Sequence, residues 1–195
     1  MNETDVVKFR HQGDGRELAH FPGFEELAAA RNEMRQMAVL GVDENGIGFG
    51  NLSLRAGTSD SFYITGSGTG GIDSLEPGHC AKIVAWNLAE NWLRSEGCVV
   101  PSAESLTHAV LYASHVKVRV VLHGHDRRLW HALVTDGPAT DARATYGTPA
   151  MAHEVERLFR KANLAETKLF AMKGHENGVI ALGMTFEEAL GAFRR

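Results

Sequence analysis

His123-Gly124-His125 closes an apolar, β-branched run (Val116, Val118, Val120, Val121, Leu122) and is the pattern in this chain best suited to chemistry. Such a run reads as a buried strand. Alternate residues of a strand face one side, so both imidazoles would point at a common spot and form a two-toothed chelate for a divalent metal. In a chain with ten histidines, two polar residues where a strand surfaces is an equally good reading of this motif alone. Two further stretches add weight: Pro101-Ser102-Ala103-Glu104 and Gly174-His175-Glu176-Asn177-Gly178. His175 sits between glycines in a tight segment joining two strands. Three histidines from two strand ends would make the three-ligand, open-position site typical of catalytic rather than structural zinc; a surface turn histidine is the plainer alternative. Glu104 falls in the first turn of a helix, where exposed amides and the helix dipole favour a carboxylate. Beside a metal and partly out of water, the same carboxylate can be tuned for proton transfer. His108, four residues on and on the same helix face, reads as a packed or surface residue rather than a ligand. His153 is a spare ligand candidate, and His11, His20, His79, His115 and His131 receive no role.

Gly66-Ser67-Gly68-Thr69-Gly70-Gly71 follows a strand with the spacing of a dinucleotide-binding fingerprint. That fingerprint needs a helix directly after the glycines, and Ile72-Asp73-Ser74-Leu75-Glu76-Pro77-Gly78 is turn material. Nucleotide binding is therefore demoted in favour of a simpler role: backbone N–H groups of such a loop can form a concave anion nest. Gly50-Asn51-Leu52-Ser53 offers similar small, donor-rich groups, and with Ser102 these suggest a phosphate pocket.

These residues must be positioned by elements that periodicity partly reveals. Apolar residues at helical spacing predict a helix from Phe24 to Leu40, with Gly41 as its stop. Phe49–Leu54 and Ser61–Thr65 read as short strands, and Ala81–Arg94 fits a helix about as well as two strands. Ser102 can cap a helix to about Ser114; the strand into His123 follows, then a short helix from Arg127 to Val134 and another from Pro149 to about Ala162. Leu169–Met172 and Val179–Leu182 look like a final strand pair, and Thr185-Phe186-Glu187-Glu188 is a capping-box signature. Trp86, Trp92 and Trp130 read as core or subunit-contact aromatics. Interleaved but not strictly alternating elements point to a mixed sheet with flanking helices.

Bulk properties narrow the class. A chain of 195 residues with 44% apolar content is one ordinary domain, residues 21–195, behind a polar and flexible stretch, 1–20. A net charge of -4 and a pI near 6.2 give no support for nucleic-acid or membrane-surface binding. Cys80 and Cys98 make no disulfide framework, and no signal-peptide pattern or membrane-spanning run is evident. The expectation is a soluble protein of a reducing cytoplasm.

Taken in order, Gly50-Asn51-Leu52-Ser53-Leu54-Arg55, Ile64-Thr65-Gly66-Ser67-Gly68, Pro101-Ser102-Ala103-Glu104, Val121-Leu122-His123-Gly124-His125, Ala144-Thr145-Tyr146-Gly147-Thr148 and the His175 segment resemble the class II aldolase/adducin family. The resemblance runs collinearly from about Phe24 to the end. It implies an α/β/α sandwich around a mixed, largely antiparallel sheet, with Ala81–Arg94 as strand and turn, assembled as homotetramers with active sites between subunits. It implies zinc or another divalent metal on His123, His125 and His175, Glu104 as acid/base, and Gly50, Asn51, Ser67, Gly68 and Ser102 around a substrate phosphate. The activity implied is a metal-dependent lyase acting on a small phosphorylated sugar through a metal-stabilised enediolate. An epimerase, dehydratase or decarboxylase on the same scaffold is the nearest alternative, and a non-catalytic adducin-like interaction module is an alternative of another class. Three departures stand out: Ala103 replaces a hydroxyl residue, Gly66 stands where proline is usual, and Glu176-Asn177 leave Asn177 as the other occupant of the third-ligand register.

Overall fold

The computed structural model describes residues 7–194. Its strands in chain order are β1 (Arg10–Gly13), β2 (Gly41–Val42), β3 (Gly48–Phe49), β4 (Asn51–Arg55), β5 (Phe62–Thr65), β6 (Cys80–Asn87), β7 (Trp92–Glu96), β8 (Val120–His125), β9 (Leu169–Ala171) and β10 (Gly178–Gly183). The helices are α1 (Phe24–Gln36), α2 (Ser105–Ser114), α3 (Arg127–Asp136), α4 (Pro149–Lys161), α5 (Leu164–Thr167) and α6 (Phe186–Leu190). Eight strands form one sheet in the order β1-β7-β6-β5-β4-β8-β10-β9, while β2 and β3 make a separate hairpin. Only the β1–β7 pairing within the large sheet is parallel, so the sheet is mixed and largely antiparallel.

Strand alternation divides the core in two. On β8, Val121 joins Leu106, Val110, Met151 and Val155 of α2 and α4, whereas Val120 and Leu122 join Leu27 and Met34 of α1 and Leu190 of α6. Helices thus cover both faces, which is the expected three-layer α/β sandwich. Each fully buried Leu or Val contributes about 1.5–3 kcal/mol as an upper estimate. Ser105 to Tyr112 of α2 are all buried, which makes α2 an inner helix fixed between sheet and α4. Among the described residues no helix is long and apolar enough to cross a membrane.

Several local expectations change. Ala81–Arg94 resolves into β6 and β7, joined by a turn in which the Asn87 side chain accepts the Glu90 amide and Asn91 takes a positive φ of 50°. The strand into His123 starts at Val120, because residues before it turn back through the Val118 amide to the His115 carbonyl, leaving Val116 72% exposed. Ser102 does not cap α2 with its side chain: its carbonyl accepts the Ser105 amide, and the helix begins at Ser105 with Glu104 in the cap position. Of the polar stretch 1–20, residues 1–6 lie outside the described residues, and Arg10–Gly13 pair with Trp92–Ser95 as β1.

Candidate active site

Three elements bring the chemistry-bearing residues together. His123 on β8 lies directly opposite Asn51 on β4, and His125, two residues on, faces the same side. The intervening Gly124 suits the packing: a Cβ there would meet the Phe193 ring at 3.0 Å on the opposite face and push it back. The turn between β9 and β10 carries His175, closed by the His175 amide on the Met172 carbonyl and the Gly178 amide on the His175 carbonyl. The Trp130 indole donates to the Met172 carbonyl at 3.1 Å and anchors this turn to α3.

One ring nitrogen from each of His123, His125 and His175 lies within 4.8 Å of the others. Nε2 of His125 and Nε2 of His175 stand 3.0 Å apart. Nε2 of His123 is buried with no hydrogen-bond partner among the described residues, an arrangement that costs about 1–3 kcal/mol unless a ligand takes up the nitrogen. Burial, then the neighbouring imidazoles of His175, His125 and His108, hold the His123 pKa well below the usual histidine value. Burial and then His175 lower His125 to about 4. Burial also lowers His175, against the opposing pull of Glu104. All three rings are therefore neutral at neutral pH, the state in which imidazole ligates a metal. Three converging imidazoles, with Nε2 of His123 unpartnered, fit a divalent ion such as zinc, provided each turns an unprotonated nitrogen to it.

Glu104, at the cap of α2, is buried beside this cluster. Its Oε2 accepts from the Asn51 amide at 2.8 Å and from the Ser102 hydroxyl at 3.1 Å. Its Oε1 lies 3.9 Å from His175 Nε2. Asn51 also stands 3.1 Å from His123 Nδ1, so one amide ties carboxylate to imidazole.

Gly50, Asn51, Ser67, Gly68, Ser102, Glu104, His123, His125 and His175, drawn from separate stretches of sequence, all line one cleft of about 180 Å³. Asn177 does not line the cleft; its backbone turns left-handed at φ 63° and its carbonyl accepts the Asp126 amide. His153 does not reach the site, since it lies on α4 with its ring 3.3 Å from Glu156. Ser53 does not line the cleft; further along the same strand face, it makes a buried contact with His108 and Tyr112, both at 2.7 Å. His108 is fully buried there and its pKa is lowered to about 3 by desolvation.

The structure adds residues that motif reading does not single out. Tyr146 lines the cleft with its ring centroid 4.4 Å from that of His175, and Phe49 lies 5.1 Å from His125. Burial, then Glu104, raises the Tyr146 pKa. Its signal in sequence is only its membership of Ala144–Thr148, a segment without periodicity.

The sequence matches the family described as Class II Aldolase and Adducin N-terminal domain over residues 26–194. Among solved structures, an L-fuculose 1-phosphate aldolase superposes with a TM-score of 0.66 at 16% identity, covering 91% of this chain and 82% of that one. L-fuculose-1-phosphate aldolase from Thermus thermophilus gives 0.60 at 19%, covering 88% and 87%. YgbL from Escherichia coli, described as a candidate aldolase/epimerase/decarboxylase, gives 0.56 at 22%, covering 87% and 82%. At these identities the likeness speaks for the fold alone. No curated protein sequence matches the chain significantly.

Proposed function

Because the chain belongs to the class II aldolase and adducin N-terminal domain family, we propose that it is a metal-dependent lyase of aldolase type, making or breaking a carbon–carbon bond in a small phosphorylated sugar. The observation that carries this reading is the cluster of His123, His125 and His175 around one point, with the Glu104 carboxylate 3.9 Å from His175 Nε2. A divalent cation such as zinc, held by these three imidazoles, would supply Lewis-acid polarisation of the substrate's carbonyl group.

The protein's own groups do the remaining work. Glu104 takes the proton and returns it: the Asn51 amide and the Ser102 hydroxyl orient Oε2 and so set the direction in which Oε1 meets the substrate. A positioned carboxylate of this kind is worth about 10²–10⁴ in rate. The glycine loop receives the phosphate through the Ser67 hydroxyl and the backbone N–H of Gly68, the Ser67 amide being taken by the Val100 carbonyl, and Gly50, at a positive φ of 76°, lets the strand start close against Leu40. Tyr146 and Phe49 wall the cleft on the histidine side and exclude water from the reacting atoms. A non-catalytic interaction module has no use for three neutral imidazoles converging beside a buried carboxylate, so the enzymatic reading is preferred. By the same family reading the protein works as a homotetramer.

The test is elemental analysis followed by a screen of sugar phosphates for release of dihydroxyacetone phosphate, with epimerisation, dehydration and decarboxylation scored in parallel. Glu104→Gln should keep its zinc and lose about 10²–10⁴ in turnover. Wild-type turnover in that variant would overturn the role of Glu104, and a protein that never takes up a divalent metal would overturn the lyase.

A further inference from the structure

The glycine loop has a charge built behind it. Arg31, on α1, is 1% exposed and is the largest fully buried side chain among the described residues. Its Nη2 donates to the carbonyl of Thr69 at 2.7 Å, to that of Ile72, and at 3.4 Å to that of Gly70. Its Nη1 is buried without an acceptor, and among the described residues no carboxylate lies within ion-pair distance of it. Arg35, one turn on, donates to the Ile72 carbonyl at 2.9 Å and takes Asp73 as its own partner at 3.2 Å, so the surface acid is engaged by the outer arginine.

Burying a guanidinium without a carboxylate is costly, and helix α1 needs no such group for packing against the sheet, where Leu27 and Met34 serve. The geometry explains the expense. A trans peptide points its N–H opposite to its C=O. Carbonyls of Thr69 and Gly70 drawn toward Arg31 therefore turn the amides of Gly70 and Gly71 away from it, and Thr69 and Gly70 line the cleft. Of these two peptides the Thr69–Gly70 one borders the cleft, so cation, carbonyl and amide in line there would present a positive end to a bound anion. Among the described residues no Lys or Arg lines the cleft itself; Lys8 lies behind Tyr146, 4.1 Å over its ring, and Arg31 is the formal positive charge behind the glycine loop.

We propose that Arg31 is a positioning residue for anion recognition: through the Thr69, Gly70 and Ile72 carbonyls it orients and polarises the glycine loop for a phosphoryl group that it never touches. The inference rests on the phosphate reading of the cleft given above. It predicts that charge at position 31, beyond shape or hydrogen bonding, sets phosphate affinity.

The experiment is isothermal titration of inorganic phosphate into zinc-loaded wild type, Arg31→Lys, Arg31→Gln and Arg31→Met, with zinc content and melting temperature measured on each. Lys keeps the charge, Gln keeps a donor without it, and Met keeps only bulk. The expected result is phosphate binding within about threefold of wild type for Lys and weakened about tenfold or more for Gln and Met, at unchanged zinc content. Equal weakening in all three would make the role structural and overturn the proposal, as would wild-type affinity in Gln. If the Met variant does not fold, the Lys and Gln pair still decides. Absence of phosphate binding by the wild-type chain would overturn the phosphate reading and this inference together, whereas binding that ignores position 31 would overturn this inference alone.

Discussion

Gly174→Ala is the sharpest test of how the histidine cluster is held. A Cβ at Gly174 would lie 2.0 Å from the Ala144 carbonyl oxygen, 2.7 Å from its carbon and 3.0 Å from the Ala142 oxygen. All three are backbone atoms, so no side chain can swing aside. Bringing the first contact to about 3 Å requires the two segments to part by about 1 Å, an overpacking that costs about 1–3 kcal/mol. The segments are bridged here, Thr145 against Gly174, and each is followed immediately by a cleft residue, Tyr146 and His175. Zinc–imidazole bonds of about 2.0–2.1 Å tolerate about 0.2 Å, so a shift of about 1 Å takes His175 out of coordination. Disturbing outer groups around a metal costs about 10–100-fold in affinity, so displacing a ligand should cost about 100-fold or more. The assay is competition for zinc with a chromophoric chelator, with Glu176→Ala, an exposed position in the same turn, as the control that should bind as wild type. A folded Gly174→Ala protein with wild-type zinc affinity would refute both the rigidity of this contact and the place of His175 in the cluster.

Other consequences can be measured with the same protein. His123→Ala or His125→Ala should leave little zinc after dialysis, and a full equivalent by elemental analysis would contradict the ligand set. With His125 lowered to about 4 and both His123 and His175 lowered by burial, protons compete poorly for the ring nitrogens, so zinc should stay bound at about pH 5.5, where free imidazoles are mostly protonated. Release already complete at about pH 6.5 would contradict that. His108 gives a stability prediction whose sign is fixed by its lowered pKa of about 3. Its contribution is full above the unfolded value of about 6.5 and is lost as pH falls from there through the folded value, on the order of 2–3 kcal/mol by pH 4.5. Urea unfolding should show His108→Gln losing less stability than wild type between pH 6.5 and pH 4.5, and identical losses would remove His108 from the acid response.

What the sequence discloses is what local periodicity controls. The helix starting at Pro149 is legible because Thr148 caps it, accepting the Met151 amide, and its apolar residues repeat at helical spacing. The strand ending at His125 is legible because its buried residues are contiguous. Cys80–Glu96 is not, since Ala81, Ile83 and Trp86 satisfy a helix as well as a strand; only pairing with β5 on one side and β1 beyond it decides. β1 itself is illegible: Arg10, His11 and Gln12 offer no apolar alternation, and backbone pairing with β7 defines the strand. At the site, His123 and His125 follow from strand geometry, but the arrival of His175 depends on the contact of Gly174 with Ala144, thirty residues earlier in the chain. Tyr146 depends on the same contact from the other side, and Arg31, on a helix face that could equally have met solvent, depends on where the glycine loop settles.

One seam shows why the site could nevertheless be inferred from short motifs. Four residues of helix climb about 6.0 Å and two residues of strand about 6.6 Å. A helix lying along a strand therefore keeps step with it when polar groups recur at four on one and two on the other. Glu104 meets Asn51, and His108 meets Ser53, one step further along both elements. At the third step, the Tyr112 hydroxyl reaches back to Ser53, while Arg55, next on the strand, donates to the Tyr112 carbonyl. Each motif on α2 is thus locked to one on β4 by a register that neither motif contains. Sliding α2 by a single residue would turn Glu104, His108 and Tyr112 together by about 100°, unpairing buried polar groups at about 1–3 kcal/mol each. The position of the carboxylate beside the histidines is therefore enforced by the whole seam.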